Sequence, residues 1–175
     1  EMFDLVVRGG TLPDGRVADI GIRQGRIAAI ERLPADVAAG EVIEAAGDLV
    51  APPFVDPHFH MDATLSYGRP RINASGTLLE GIALWGELKA EQTADEVKAR
   101  ALEYCDWAAS RGLLAIRSHV DTCDDTLTGV AALLEVRDAV KAYIDLQLVA
   151  FPQDGFYRDP TAKRNTLRAL DMGVD

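Results

Sequence analysis

Three histidines are the first residues that bear on chemistry, and each closes a segment that reads as a buried strand. His58 and His60 end the first such segment and His119 ends the second. In a strand, residues i and i+2 point to one face. His58-Phe59-His60 therefore aims two imidazoles one way and Phe59 the other. Two ring nitrogens side by side can each approach one metal ion at about 2.0–2.1 Å. The same spacing also arises as two half-exposed strand residues that hold nothing. Asp56 and Asp62 flank the pair. Each is placed to orient an imidazole by accepting its other N–H, or else to stand in water as a loop acid. His119, in Arg117-Ser118-His119-Val120-Asp121, is open between a ligand, a group behind a ligand and a core histidine. Gln153 follows a third strand in Phe151-Pro152-Gln153-Asp154-Gly155. Its amide offers an acceptor and two donors, which suits a flat ligand that presents a carbonyl beside an N–H. A plain loop glutamine is the alternative.

The elements that must position these residues fall into two parts. Residues 3–8, 18–22, 26–30 and 41–45 read as short strands, separated by Gly9-Gly10, Pro13-Asp14-Gly15, Gln24-Gly25 and Gly47-Asp48 turns. The expectation for residues 1–50 is a small antiparallel sheet. From Leu49 the pattern changes to strand, loop and helix. Helices are expected over residues 77–89, 93–108, 124–142 and 161–172, and strands over 54–60, 113–119 and 144–151. Thr93-Ala94-Asp95-Glu96 fits a capping box, and Gly112 is expected at the C′ position. Val174-Asp175 would open a fourth strand. Three β-α units in residues 51–175 argue for a parallel sheet with crossover helices. They are too few for a closed barrel, which needs eight units and about 250 residues. The expectation is therefore the N-terminal part of a longer enzyme, with Met2 as its natural start. In a β-α barrel the C-terminal ends of the strands carry the active site, which is where all three histidines fall.

Composition narrows the classes. The chain has 175 residues, 48% apolar and 26% charged, with a mean hydropathy of +0.00, as expected of a globular chain. No apolar run is long enough for a membrane helix, and no secretory leader is expected. A net charge of −10 argues against a nucleic-acid groove. Cys105 and Cys123 form no C-x-x-C, so a reducing, cytoplasmic setting is the default expectation. The H-x-E and P-C-x-x-C signature of compact zinc deaminases is absent. So are G-x-S-x-G, a Walker loop and G-x-G-x-x-G.

Val55-Asp56-Pro57-His58-Phe59-His60-Met61-Asp62, after a small β domain, resembles the amidohydrolase superfamily. Three blocks taken in order resemble bacterial cytosine deaminases: residues 75–82, Ser-Gly-Thr-Leu-Leu-Glu-Gly-Ile; residues 117–121; and residues 145–153. The resemblance runs from about Leu5 to Asp175. It implies an α/β fold, a (β/α)8 TIM barrel of the metal-dependent hydrolase type that is incomplete here. A small antiparallel β-sandwich built from both chain ends would precede it. It implies that His58 and His60 are metal ligands for one divalent ion, iron or zinc, that Gln153 bonds the amide edge of a pyrimidine and that Leu78 packs near the base. The remaining ligands and the proton shuttle would lie after Asp175, so this stretch alone is expected to be inactive.

The expected activity is hydrolytic deamination of cytosine to uracil and ammonia. The sequence also resembles, almost as well, the N-alkylammelide and s-triazine amidohydrolases, so an N-alkylamino-s-triazine is the alternative substrate, and the loop at residues 156–159 is placed to reshape the pocket toward another heterocycle. A non-catalytic barrel, or a protein that binds a pyrimidine without hydrolysing it, is the reading from another class. The partner is a small aminoheterocycle, with no nucleic acid and no membrane. A homo-oligomer is compatible with the sequence.

Overall fold

The computed structural model describes residues 2–158 and 160–175; Glu1 and Asp159 lie outside the described residues. The chain folds as two compact units, Glu1–Pro52 and Pro53–Asp175.

The first unit is one four-stranded sheet: β1 (Phe3–Thr11), β2 (Val17–Arg23), β3 (Arg26–Glu31) and β4 (Ala39–Glu44), in the order β3-β2-β1-β4. Gln24 and Gly25 both take positive φ, 51° and 69°, as a tight hairpin between β2 and β3 requires. β1 with β2 and β2 with β3 pair antiparallel, but β4 runs parallel to β1. The sheet is therefore mixed and not antiparallel, and a second layer that would make it a sandwich is not seen among the described residues. The reason lies in residues 32–38, which cross the sheet instead of turning back. Asp19 Oδ2 accepts from the Leu33 amide at 2.9 Å. Arg8 donates to the Pro34 and Ala35 carbonyls at 2.9 and 3.1 Å. Two strand side chains thus hold the crossover down, and the chain re-enters the sheet in the direction of β1.

The second unit holds a parallel sheet of β5 (Phe54–Phe59), β6 (Leu113–Asp121) and β7 (Asp145–Phe151), in that order. A 3-10 turn (Met61–Ala63) follows β5, and then α1 (Leu78–Glu91) and α2 (Ala94–Ala109). α3 (Thr128–Val140) joins β6 to β7, and α4 (Pro160–Met172) follows β7. One face of the sheet is sealed by helices. Ile116 and Val120 of β6 and Leu146 and Leu148 of β7 pack with Val97, Ala101 and Cys105 of α2 and Val130, Leu133 and Val136 of α3. The other face mixes polar and apolar residues. There Arg117 Nε donates to Gln147 Oε1 at 2.7 Å, and Gln147 Nε2 donates to Asp175 Oδ2 at 2.7 Å. The Asp175 amide donates to the Leu148 carbonyl, and its own carbonyl accepts from Ala150. That is the pattern of a next parallel strand, as expected for Val174-Asp175.

Local signals explain the helix ends. The Thr93 side chain and Glu96 form the expected capping box at the start of α2. Gly112 takes a φ of 79°, but α2 is capped earlier, at Ser110, so the glycine sits one residue beyond C′. α3 starts later than the periodicity predicts. The Asp124 carboxylate accepts from the amides of Thr126 and Thr128 and so holds residues 124–127 out of the helix.

Buried bonds tie the turn after β5 to β6, among them Met61 N–H to Ser118 Oγ at 2.9 Å. Ser118 is fully buried. Ser118→Ala leaves that amide without an acceptor and is expected to destabilise the full-length protein by about 1–3 kcal/mol, read as a lower urea midpoint at unchanged slope.

Candidate active site

His58 and His60 do lie side by side, and a bulge puts them there. Asp56 pairs with Ile116, but Phe59 pairs with Ser118, so β5 carries one extra residue. Pro57 falls in that step and has no N–H to give the ladder. A one-residue slip exchanges the two faces of a strand. Asp56 thus shares the helix-covered face with Ile116, while His58 and His60 turn to the opposite face beside His119. Phe59 points back to the helices and stacks on Tyr104, with centroids 4.4 Å apart.

The three imidazoles form one cluster. The ring centroids of His58 and His60 are 5.2 Å apart, and His58 stacks on His119 at 4.0 Å. His60 Nδ1 lies 3.0 Å from the His119 carbonyl oxygen. A carbonyl only accepts, so Nδ1 carries the proton and Nε2 is left with its lone pair. Burial is the main cause that lowers the His60 and His119 pKa values, and the neighbouring imidazole His58 adds to it. His119 Nδ1 is buried without a hydrogen-bond partner. Neutral imidazoles with free nitrogens are what a metal ion takes. Among the described residues no three His, Cys, Asp or Glu side chains form a complete metal-binding group. The pair thus fits part of a ligand set.

The flanking acids do other work. Asp56 Oδ1 accepts from the backbone N–H of His58 at 3.1 Å. Asp62 Oδ2 accepts from the Asp121 N–H at 2.9 Å. Burial pushes the Asp62 carboxyl up to about 7 against that bond. Neither acid is seen to bond an imidazole; the His119 backbone carbonyl does this for His60.

His60, Leu78 and Gln153 line one cavity of about 360 Å3. They come from the residue just after β5, from α1 and from the loop after β7, and the sheet and helix packing bring them together. Ile82, Trp85, Asp121 and Phe151 complete much of its wall. These four carry no motif of their own. A signal existed for two of them: Leu78, Ile82 and Trp85 stand at i, i+4 and i+7, one face of α1. In the 156–159 loop, Phe156 and Tyr157 meet edge to face at 5.0 Å, and Asp159 lies outside the described residues.

Helix α1 is held over the site by the loop before it. Arg71 pairs with Glu80 and Glu87 at 2.8 and 2.9 Å. Glu80 also accepts from the Ser75 amide at 2.6 Å and from the Ser75 hydroxyl.

The sequence and fold have known counterparts. Residues 41–168 match the Amidohydrolase family, and the chain belongs to that family. It is 36% identical over 179 residues to the N-isopropylammelide isopropyl amidohydrolase of Pseudomonas sp. (strain ADP), across 99% of this chain and 44% of that protein. The structure of 5-methylcytosine deaminase from Klebsiella pneumoniae liganded with phosphonocytosine matches with a TM-score of 0.87 and 38% identity, over 97% of this chain and 42% of that one. N-isopropylammelide isopropylaminohydrolase from Burkholderia multivorans matches with a TM-score of 0.80 and 28% identity, over 99% and 44%. The chain spans less than half the length of these relatives. No helix among the described residues is long and apolar enough to cross a membrane.

The loop that holds α1 has a pH signature. Hydrogen bonds from the Ser75 hydroxyl and amide, with the Arg71 guanidinium, hold the Glu80 carboxyl down at about 2. The folded value lies below the unfolded one of about 4.3. The tether is therefore fully present above the unfolded value and is lost as pH falls through the folded one. Protection of the Ser75 amide from hydrogen exchange is expected to hold at pH 5 and collapse toward pH 2. In Glu80→Gln it is expected to be weaker and flat across that range.

Proposed function

We propose that the full-length protein is a metal-dependent amidohydrolase that deaminates cytosine or a close aminopyrimidine. The observation that carries the proposal is the convergence of His60, Leu78 and Gln153 on one cavity, with His58 beside His60. The likeness to a cytosine-analogue-bound 5-methylcytosine deaminase, across nearly all of this chain, supports the ring class. A second reading, hydrolysis of an N-alkylamino-s-triazine, has its own support in the 36% identity to N-isopropylammelide isopropyl amidohydrolase.

In this reading residues 1–50 belong to a small β domain. Residues 51–175 are the first three units of a (β/α)8 barrel whose later strands carry the remaining ligands and the proton shuttle. His58 and His60 would hold one divalent ion, iron or zinc. The chemistry such an ion supplies when bound is Lewis-acid activation of water at neutral pH. The chain's own residues then have distinct tasks. The His119 carbonyl keeps the His60 proton on Nδ1, so Nε2 keeps its lone pair. Gln153 meets the carbonyl and N–H edge of the heterocycle, while Leu78 and Phe151 give it an apolar seat. Water adds at the amino-bearing ring carbon, a C–O bond forms, the C–N bond breaks, and the amine leaves with the proton that water gave up.

The test uses full-length protein loaded with zinc or iron, offered cytosine, 5-methylcytosine and N-isopropylammelide, with release of ammonia or isopropylamine as the readout. Turnover of a cytosine supports the first reading, and turnover of N-isopropylammelide alone the second. Metal bound with no amine released from any of them would overturn both and leave a binding or non-catalytic barrel. His58→Ala and His60→Ala are expected to cut bound metal, by elemental analysis, to under about a tenth of the wild-type content, since two ligands of the set carry much of the affinity. Gln153→Leu is expected to raise KM about tenfold or more, which corresponds to about 1.4 kcal/mol per factor of ten.

A further inference from the structure

Two cavities share a wall. The candidate substrate cavity of about 360 Å3 adjoins a second chamber of about 190 Å3 lined in part by the 66–73 loop. Ala63, Gly81 and Trp85 line both. Ala63 has only a methyl group and Gly81 has no side chain, so the indole supplies the bulk of the partition. Behind it, Leu84 and Leu88 give the second chamber an apolar wall.

The indole is held at its N–H. Trp85 Nε1 donates to Asp121 Oδ2 at 2.7 Å, and Lys89 Nζ donates to the same oxygen at 2.8 Å. The Cys123 amide donates to Asp121 Oδ1 at 2.7 Å. Trp85 and Lys89 stand at i and i+4 on α1, so one carboxylate gathers both. The Asp121 side chain is only 4% exposed, and bonds to a buried charge are short and strong. Burial by itself would lower the Lys89 pKa, yet the bonds and charges of Asp121 and Asp154 together outweigh it and hold the ammonium above its ordinary value. The clamp is therefore a charged pair with an indole attached.

We propose that Trp85, clamped by Asp121, sets the size of the substituent the substrate can carry. With the indole in place the substrate cavity ends at the partition; with it removed the two chambers become one. Asp121 is a positioning residue that acts through the indole. The inference rests on the reading of the site as an aminoheterocycle hydrolase and adds to it a determinant of substrate size.

The test takes metal-loaded full-length protein and two series of cytosines, with hydrogen, methyl, ethyl or isopropyl at the amino nitrogen or at ring C5. The readout is the ratio of kcat/KM for the isopropyl compound to that for cytosine. Trp85→Ala is expected to raise the ratio at least tenfold in one series. Trp85→Phe, which keeps a ring but has no N–H, is expected to raise it two- to fivefold, and Asp121→Asn to follow it. Trp107→Ala, at a half-exposed position on α2, is expected to leave the ratio unchanged. A merely structural role would lower kcat/KM for every compound together. A ratio within twofold of wild type in both series, for Trp85→Ala or, should that variant not fold, for Trp85→Leu, overturns the proposal. If the wild type hydrolyses none of the compounds, the cytosine reading fails by itself, and the partition is then read by binding. Indole added to the folded Ala or Leu variant is expected to bind by calorimetry and not to bind the wild type, because an opened apolar cavity takes up an aromatic guest. Absence of that binding overturns the partition.

Discussion

The bulge at Pro57 is the constraint on which the site depends. Without it, Asp56 and His58 would share the helix-covered face, and both imidazoles would meet the core formed with α2 and α3. One extra residue between Asp56 and Phe59 reverses the alternation. Phe59 then fills the helix-covered side against Tyr104, and the histidines come to the opposite side. The register that follows brings His60 Nδ1 to the His119 carbonyl and the Met61 amide to Ser118 Oγ. Two bonds between β6 and the chain leaving β5 thus fix both the position and the tautomer of His60. A buried serine with no chemistry of its own helps to hold the site, because a buried amide must find an acceptor.

The opposite wall comes from α1, which is only partly embedded. Leu78 and Leu79 are each 78% exposed, whereas Leu88 is buried. The helix is therefore anchored near its C-terminal end by packing and near its start by polar bonds from Arg71, Ser75 and Asn73. Asp121 adds a third anchor from the end of β6, through Trp85 and Lys89. Sheet and helix are joined at the cavity by charge-assisted bonds, which demand a fixed direction that apolar packing does not.

Much of the second unit was legible in the sequence. Periodicity and caps marked four helices and three strands, and strand ends are where a β-α architecture places function. His60, Leu78 and Gln153 each stand out in the sequence, and one cavity unites them. The roles of Asp56 and Asp62 were not legible, because which face a strand residue takes depends on a bulge that local sequence only hints at through Pro57. The mixed sheet of the first unit is not legible in the sequence for a related reason. A short linker reads as a turn back, and only the bonds from Arg8 and Asp19 show that residues 33–35 cross the sheet instead.

By itself the sequence determined the chemical inventory and the local order: a histidine pair two apart, an amide after a strand, and helices with their caps. Those follow from side-chain type and from the short periods of strand and helix. Tertiary structure decided what meets what. Parity across β5, the choice of a backbone carbonyl to orient His60, and the gathering of Trp85 and Lys89 on Asp121 all join residues far apart in the chain. Such contacts depend on register and packing, which no local pattern encodes.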